Sequence, residues 1–348
     1  VVALAQFRQP PTAPLTRSYL AEAGTPALAL GLADGRRVLR REVDGVRVQG
    51  QPGPAAVGDA WELGSASKSL TAALAAVLVQ EDRLRWSTRV LEVLPGLQGA
   101  RDAYAQVTLE QLLSHHAGIP ALDPAAPDLP AFTGDLHHMR VQAVQWLLSQ
   151  PPAAAPGKAF HYSNEGYLVA AAMMEEILGQ TWEQAVADRV LAPLGLQARP
   201  GPPGPREPWG HSWKDQAWQP QDPAAPPGPL AGIMAPGSGL LSMTLDSVLG
   251  WAQANLRGLR GEPCAALTSD SFRKLQTPHD PNGYALGWVQ DRLNGRPVLW
   301  HSGSTGTFAS YIILDPDRDR ALVLLANGET PQGEVPRRLA ELAREILD

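Results

Sequence analysis

The stretch Trp61-Glu62-Leu63-Gly64-Ser65-Ala66-Ser67-Lys68 decides how this chain is read. It runs from an apolar, strand-like segment through a glycine into the strongest helical pattern in the sequence. Leu70, Ala73, Leu74, Val77 and Leu78 fall at i, i+3, i+4, i+7 and i+8, which predicts one buried stripe on a helix beginning near Ser65. A helix opening at Ser65 places Lys68 one turn further along the same face. Serine is a poor nucleophile at neutral pH and needs a neighbouring base. The lysine amine can take the Ser65 proton or keep another base ionised. Free backbone N–H groups at a helix start also offer a place for a developing oxyanion.

Lysine is scarce, which gives Lys68 weight. Of 29 basic residues only four are lysines, at positions 68, 158, 214 and 274; the other 25 are arginines. A second Ser-x-x-Lys, Ser271 to Lys274, lies in a polar segment soon stopped by Pro278 and reads as a solvated face.

Working outward, residues 26–32 and 37–43 read as strands joined by a hairpin turn at Asp34-Gly35. Residues 284–290, 297–301, 308–314 and 320–326 read as further strands, with Asn294-Gly295 as a two-residue hairpin. A final amphipathic helix is predicted over 334–347. Between these ends the chain is helical. Thr108-x-x-Gln111 and Thr181-x-x-Gln184 fit capping boxes, and Asn164 is a candidate cap for a helix over 165–178 that Gly179 ends. Helices are also predicted near 139–149 and 244–257. Strands at both ends with helices between them predict an α+β fold. In it, an antiparallel sheet is assembled from both termini, with helices on its faces. Residues 1–84 and 283–348 would form the sheet domain, and 85–282 an inserted, mainly helical domain. The loop 199–229 holds ten prolines and three of the ten tryptophans, so it is expected to be an ordered excursion packed on the body.

Composition narrows the class. The chain has 348 residues, 44% of them hydrophobic, so a full core is possible although Pro and Gly number 33 each. The net charge is −6 with no basic stripe, which argues against a nucleic-acid partner. The single cysteine, Cys264, excludes an intrachain disulfide. No apolar run approaches the ~18–20 residues of a membrane span. Ala3-x-Ala5 after small apolar residues fits the tail of a secretory signal peptide, so an exported protein is expected, with a cytoplasmic one as the alternative; the oligomeric state is left open, a monomer being the default.

Two further motifs turn Ser65 and Lys68 into a constellation. Tyr162-Ser163-Asn164 is the only Tyr-x-Asn among six tyrosines, and His301-Ser302-Gly303 is the only Lys/His-Ser/Thr-Gly. The order Ser-x-x-Lys, Tyr-x-Asn, His-x-Gly parallels the motif set of β-lactamases and penicillin-binding proteins. Leu112-Leu-Ser-His-His-Ala-Gly-Ile-Pro120, Pro156-Gly-Lys-Ala-Phe-His-Tyr-Ser-Asn-Glu-Gly-Tyr167, Pro193-Leu-Gly-Leu196 and Gly237-Ser-Gly-Leu-Leu-Ser242 extend the match. Over roughly residues 15–348 the chain resembles the serine β-lactamase-like superfamily, in its class C β-lactamase, D-Ala-D-Ala carboxypeptidase and esterase branch.

That resemblance implies a β-lactamase/transpeptidase-like fold with a five-stranded-type antiparallel sheet, and a serine acyl-enzyme mechanism without metal or organic cofactor. The substrate would be a β-lactam, a D-amino-acid peptide or an ester. Ser65 would be the nucleophile, Lys68 its hydrogen-bonded partner, and Tyr162 the general base and then acid. Asn164 would bind an acyl-side amide and orient Lys68. His301, Ser302 and Gly303 would line the substrate site. The N–H groups of Ser65 and Ser304 would form the oxyanion hole. The family's Lys-Thr-Gly is replaced by His301-Ser302-Gly303, a weaker anchor for a substrate carboxylate, which predicts an extra ionisation between about pH 5 and 8. Where class C β-lactamases place an amide side chain, this chain offers Leu122 or Asp123. A non-turnover binding or sensor module of the same fold is the alternative reading.

Other signals are weaker. Gly64 to Ser69 lacks the glycines of a phosphate-binding loop, and no Gly-x-Ser-x-Gly elbow is present. His115-His116 and His137-His138 lack metal-ligand spacing. Glu175-Glu176 reads as a solvated helix face.

Overall fold

The computed structural model describes residues 15–225, 228 and 230–348. The signal-like segment Val1–Ala5 lies outside them. Helix α1 (Leu15–Ala23) precedes the hairpin of β1 (Ala27–Ala33) and β2 (Val38–Gly45). Strand β3 (Ala60–Glu62) leads through one 3-10 turn, Gly64–Ser67, into α2 (Lys68–Gln80). Five helices follow: α3 (Val90–Val93), α4 (Leu109–Leu113), α5 (Leu136–Ser149), α6 (Asn164–Leu178) and α7 (Trp182–Val186). Next come β4 (Arg199–Pro200), the hairpin β5 (Gly210–Lys214) and β6 (Ala217–Gln221), α8 (Ala231–Ser238), β7 (Leu241–Thr244), α9 (Leu245–Leu259) and α10 (Ser269–Gln276). The chain closes with β8 (Val289–Leu293), β9 (Arg296–Ser304), β10 (Ala309–Asp315), β11 (Arg320–Ala326) and α11 (Glu334–Leu347).

The main sheet is antiparallel, in the order β2-β1-β11-β10-β9-β8. It therefore has six strands rather than the expected five. Its centre joins the two ends of the chain, with Leu28 opposite Ala326 and Ala33 opposite Ala321. Alternate residues serve opposite faces. Leu322 and Leu324 meet Val335, Leu339 and Leu342 of α11, while Val323 and Leu325 enter the larger core with α2 and α9. Both faces are covered, so β10 and β11 read as near-continuous apolar runs.

Helix α2 departs from the one-stripe expectation. Every residue from Lys68 to Leu78 is buried. The alanines at 72, 73, 75 and 76 are small enough to let neighbours close in on all sides. Three other expectations also shift. The first hairpin turns over Asp34–Arg37, where Asp34 Oδ1 accepts from the N–H groups of Arg36 and Arg37. Residues 284–288 are apolar because Ala285, Leu286 and Trp288 pack into the core, and the strand begins only at Val289. Ser163, not Asn164, caps α6: its Oγ accepts from Gly166 N at 3.1 Å, and Gly179 ends the helix in the left-handed conformation. The capping boxes at Thr108 and Thr181 are formed.

The Pro/Trp-rich excursion is ordered over its described residues. Trp213 and Trp218 meet edge-to-face at 5.1 Å across the β5–β6 hairpin. The hairpin hangs on the sheet through His211 N to Thr307 O (2.9 Å) and Trp213 N to Glu329 O (3.1 Å). Among the described residues, no helix is long and apolar enough to cross a membrane.

Candidate active site

Ser65 sits in the 3-10 turn that joins β3 to α2, so its N–H lies among the unpaired donors of a helix start. Two glycines let strand β9 press onto this turn. A Cβ at Gly64, whose φ is +54°, would lie 2.5 Å from Ser304 N, and one at Gly303 would lie 1.9 Å from Leu63 O. Any side chain at either position would push the Ser304 backbone away from Ser65.

Lys68 is fully buried beneath Ser65. Its Nζ lies 3.0 Å from Ser65 Oγ and 2.6 Å from Asn164 Oδ1, and it also meets the Gly237 carbonyl of α8. Two of these three partners can only accept. A neutral amine satisfies both with its two N–H bonds, and its lone pair is then left for the Ser65 hydroxyl. Burial lowers the Lys68 pKa to about 7, against the opposing pull of Glu165. Asn164 can reach the amine because Ser163 has taken over the capping role.

Tyr162 exposes 42% of its surface along the cleft. Burial around its hydroxyl nonetheless pushes its pKa up to about 12, with the Ser65 side chain pulling the other way. The Tyr162 ring lies 4.2 Å from that of His115 and 4.8 Å from Lys68 Nζ. His115 Nδ1 accepts the Ser163 N–H at 3.1 Å, and burial and the Lys68 charge hold this imidazole neutral.

His301 lies on β9 with 4% exposure. Its Nδ1 donates to Ser302 O at 2.6 Å, and Nε2 accepts from the Tyr284 hydroxyl at 3.2 Å. Burial, then the nearby Lys68 charge, lowers its pKa to about 3. The expected His301 ionisation between pH 5 and 8 is therefore corrected. The ring is neutral across that range, and both nitrogens already have protein partners.

Two cavities meet at Ser65. The larger, about 540 Å³, is lined by Glu62, Ser65, Asn164, Trp209, Ser304 and Phe308, among others. The smaller, about 380 Å³, includes Ser65, Tyr162, Tyr284, His301 and Ser304, with Ser302 and Gly303 on the same strand. The residues singled out in sequence thus converge on one cleft: Ser65, Lys68, Tyr162, Asn164, His301, Ser302, Gly303 and Ser304. The second Ser-x-x-Lys does not join them, since Lys274 pairs with Glu110. His116 bonds Asp280 at 2.8 Å, and His137 lies between Glu175 and Glu176. Leu122 is buried with its N–H on Glu165. Sequence reasoning gave Gly237 no role beyond its motif, because a backbone carbonyl leaves no signature. It also missed Tyr284 and passed over Glu62, which lies inside the quoted motif.

This architecture, with an antiparallel sheet covered by helices and a Ser-x-x-Lys turn under β9, is the β-lactamase/transpeptidase-like fold. The Beta-lactamase family model matches residues 13–345, and the chain belongs to that family. Penicillin-binding protein 4 of Amycolatopsis lactamdurans is 28% identical over 301 residues, covering 82% of this chain and 76% of that protein. Against other curated relatives the chain spans little more than half their length. The D-amino acid amidase of Ochrobactrum anthropi SV3, solved with D-phenylalanine, superposes with a TM-score of 0.76 at 19% identity, over 96% of this chain and 97% of that one. The class C β-lactamase of Rhodobacter sphaeroides gives 0.73 at 22% identity, over 95% and 98%. At these identities the structural likeness shows the fold. Among the curated relatives, the unguisins hydrolase of Aspergillus campestris is 25% identical over 292 residues, covering 76% of this chain and 52% of that protein.

Proposed function

We propose that the protein is a serine hydrolase that cleaves an amide or ester through an acyl-enzyme on Ser65. The observation that carries this reading is the set of partners around Lys68 Nζ: two obligate acceptors and the Ser65 hydroxyl. With its pKa near 7, Lys68 is substantially free amine at neutral pH and takes the Ser65 proton as Oγ attacks the acyl carbon. The N–H groups of Ser65 and Ser304 receive the oxyanion. Tyr162, a neutral phenol, gives its proton to the departing nitrogen or oxygen and regains one from the Lys68 ammonium. Water then attacks the ester while Lys68 takes one of its protons, and the Lys68 ammonium returns that proton to Ser65 Oγ as the ester bond breaks, freeing the carboxylic acid and restoring the amine. Asn164 holds Lys68 and faces the acyl group.

The leaving-group side favours an uncharged leaving group. Among the described residues lining the smaller cavity, none is Lys or Arg, and His301 is neutral. A carboxylate on that side, as in a β-lactam or a peptide ending in D-alanine, meets no cation. The amidase likeness points the same way.

The test is intact mass and turnover with penicillin, a neutral nitrophenyl ester, an amino-acid amide and a D-Ala-D-Ala peptide. An adduct that maps to Ser65 and turns over fastest with the ester or amide is expected. Ser65→Ala should remove the adduct and slow turnover roughly a thousandfold. A lasting adduct without turnover would instead mark a binding module, and no adduct with any substrate would sink the assignment.

A further inference from the structure

We propose that Glu62 anchors a positively charged group, an ammonium, on the acyl part of the substrate. This rests on the reading of Ser65 as nucleophile, since it assigns the larger cavity to the acyl side.

Glu62 ends β3, three residues before Ser65, and lines the same cavity as Ser65, Asn164 and Ser304. It is 4% exposed. Its carboxylate forms no ion pair with any described residue, and Thr305 is its side-chain hydrogen-bond partner. Other buried carboxylates of this protein are better served. Asp59 holds Arg47, Asp315 holds Arg296, and Glu175 holds Arg140. Glu165 accepts from Leu122 N and Ser163 Oγ; Glu329 is the exception, with Oε1 accepting from the N–H groups of Thr330 and Val335 and Oε2 buried without a partner, but it does not line this cavity. A carboxylate held out of water without a cation is costly, and a cationic ligand would relieve that cost.

The rest of the cavity fits the same ligand. Among the described residues lining it, none is Lys, Arg or His, and Asp222 adds a second acidic group. Away from Lys68 beneath Ser65, the lining therefore favours a cation over an anion. Trp209 and Phe308 supply an apolar wall, and the face of an aromatic ring also tolerates a cation. The substrate class is thus an amino-acyl amide or ester, in which the ammonium reaches Glu62 while the carbonyl sits at Ser65.

The test has a binding arm and a rate arm. By calorimetry on Ser65→Ala protein, 2-phenylethylammonium should bind and 3-phenylpropionate should not. Adding Glu62→Gln should weaken the ammonium Kd by about tenfold or more, and Glu62→Asp should keep part of the affinity. In the Ser65 protein, the ratio of kcat/KM for phenylalanine p-nitroanilide to that for 3-phenylpropionyl p-nitroanilide should exceed about ten, and Glu62→Gln should bring it toward one. If wild-type selectivity is absent, or Glu62→Gln lowers both substrates equally, Glu62 only braces Thr305 and the proposal is wrong. Because the binding arm needs no acylation, failure of Ser65 chemistry and failure of the Glu62 assignment show up separately.

Discussion

Lys68 shows how one residue trades stability for reactivity. An ordinary lysine keeps its charge to about 10.5, and burial here brings that down to about 7. The catalytic form is the free amine, so kcat/KM should fall as pH drops through about 7. His301 is neutral throughout, so His301→Gln should leave the midpoint of that limb in place, whatever it does to the rate. A midpoint that moves with His301 would assign the limb to the wrong group. The same shift carries a stability consequence. Between about pH 7 and 10.5 the unfolded chain holds the Lys68 proton and the folded one does not, so stability rises with pH across that window. Below pH 7 both states are protonated and the full burial cost is present. Lys68→Met should therefore raise the melting temperature more at pH 6 than at pH 10; an equal gain at both would contradict the buried-charge account. Of the site residues, Ser65, Lys68, Tyr162, Asn164 and His301 are legible as motifs because chemistry restricts their residue types. The neutrality of His301 and the isolation of Glu62 are not, because both depend on what folds around them.

At the scale of elements, α8 shows how the framework holds that amine. Pro236 lies inside the helix and has no N–H, which leaves the Gly232 carbonyl without its intrahelical donor. Arg140 of α5 supplies one: Nη2 donates to Gly232 O at 2.7 Å, and Nε donates to Ile233 O at 3.3 Å. The guanidinium is itself buried against Glu175 and Glu183. At the far end of the same helix, Pro236 O accepts from Thr71 and Gly237 O accepts from Lys68. Arg140→Met leaves Glu175 without its cation and Gly232 without a donor. It should cost about 3–5 kcal/mol in urea unfolding, and a loss below 1 kcal/mol would mean that water replaces the arginine. This brace is hidden in the sequence, where Arg140 reads as one more charge on a helix. The strands at 308–314 and 320–326 are legible because a central strand must be apolar on both faces. The segment 284–290 misleads for the converse reason: burial alone makes it apolar, whatever its hydrogen bonding.

At the scale of the molecule, the sheet that carries the cleft closes only when the two ends of the chain meet. The antiparallel sheet built from both termini is legible, since strands cluster at the ends and helices between. The boundaries are less so. Helix α9 lies within 85–282 but packs on β1, β10 and β11, so we propose that the inserted helical unit ends near 240. One buried amide adds to the strand pairing that joins the first hairpin to the last strand. Asn327 follows β11, and its Oδ1 accepts from Ala27 N at 2.7 Å while its Nδ2 donates to the carbonyls of Val46 and Arg47 at 3.2 Å each. Its own carbonyl accepts from His211 Nδ1 at 2.7 Å, and His211 Nε2 accepts from Gln49 N at 2.9 Å. The first hairpin, the last strand and the β5–β6 hairpin are therefore tied at one point, 0% exposed. Asn327→Ala leaves Ala27 N and the Val46 carbonyl without their side-chain partner, while the Arg47 carbonyl keeps Trp209 N; at about 1–3 kcal/mol per unpaired group, a loss of about 2 kcal/mol or more is expected. The Asn327 side chain steadies the Arg47 carbonyl that holds Trp209 N, and Trp209 and Gly210 line the larger cavity, so KM should rise more than kcat falls in the surviving folded protein. Equal losses in both would mean that the knot steadies Ser65 itself rather than the acyl wall, and a loss below 1 kcal/mol would show that the sheet closes without it.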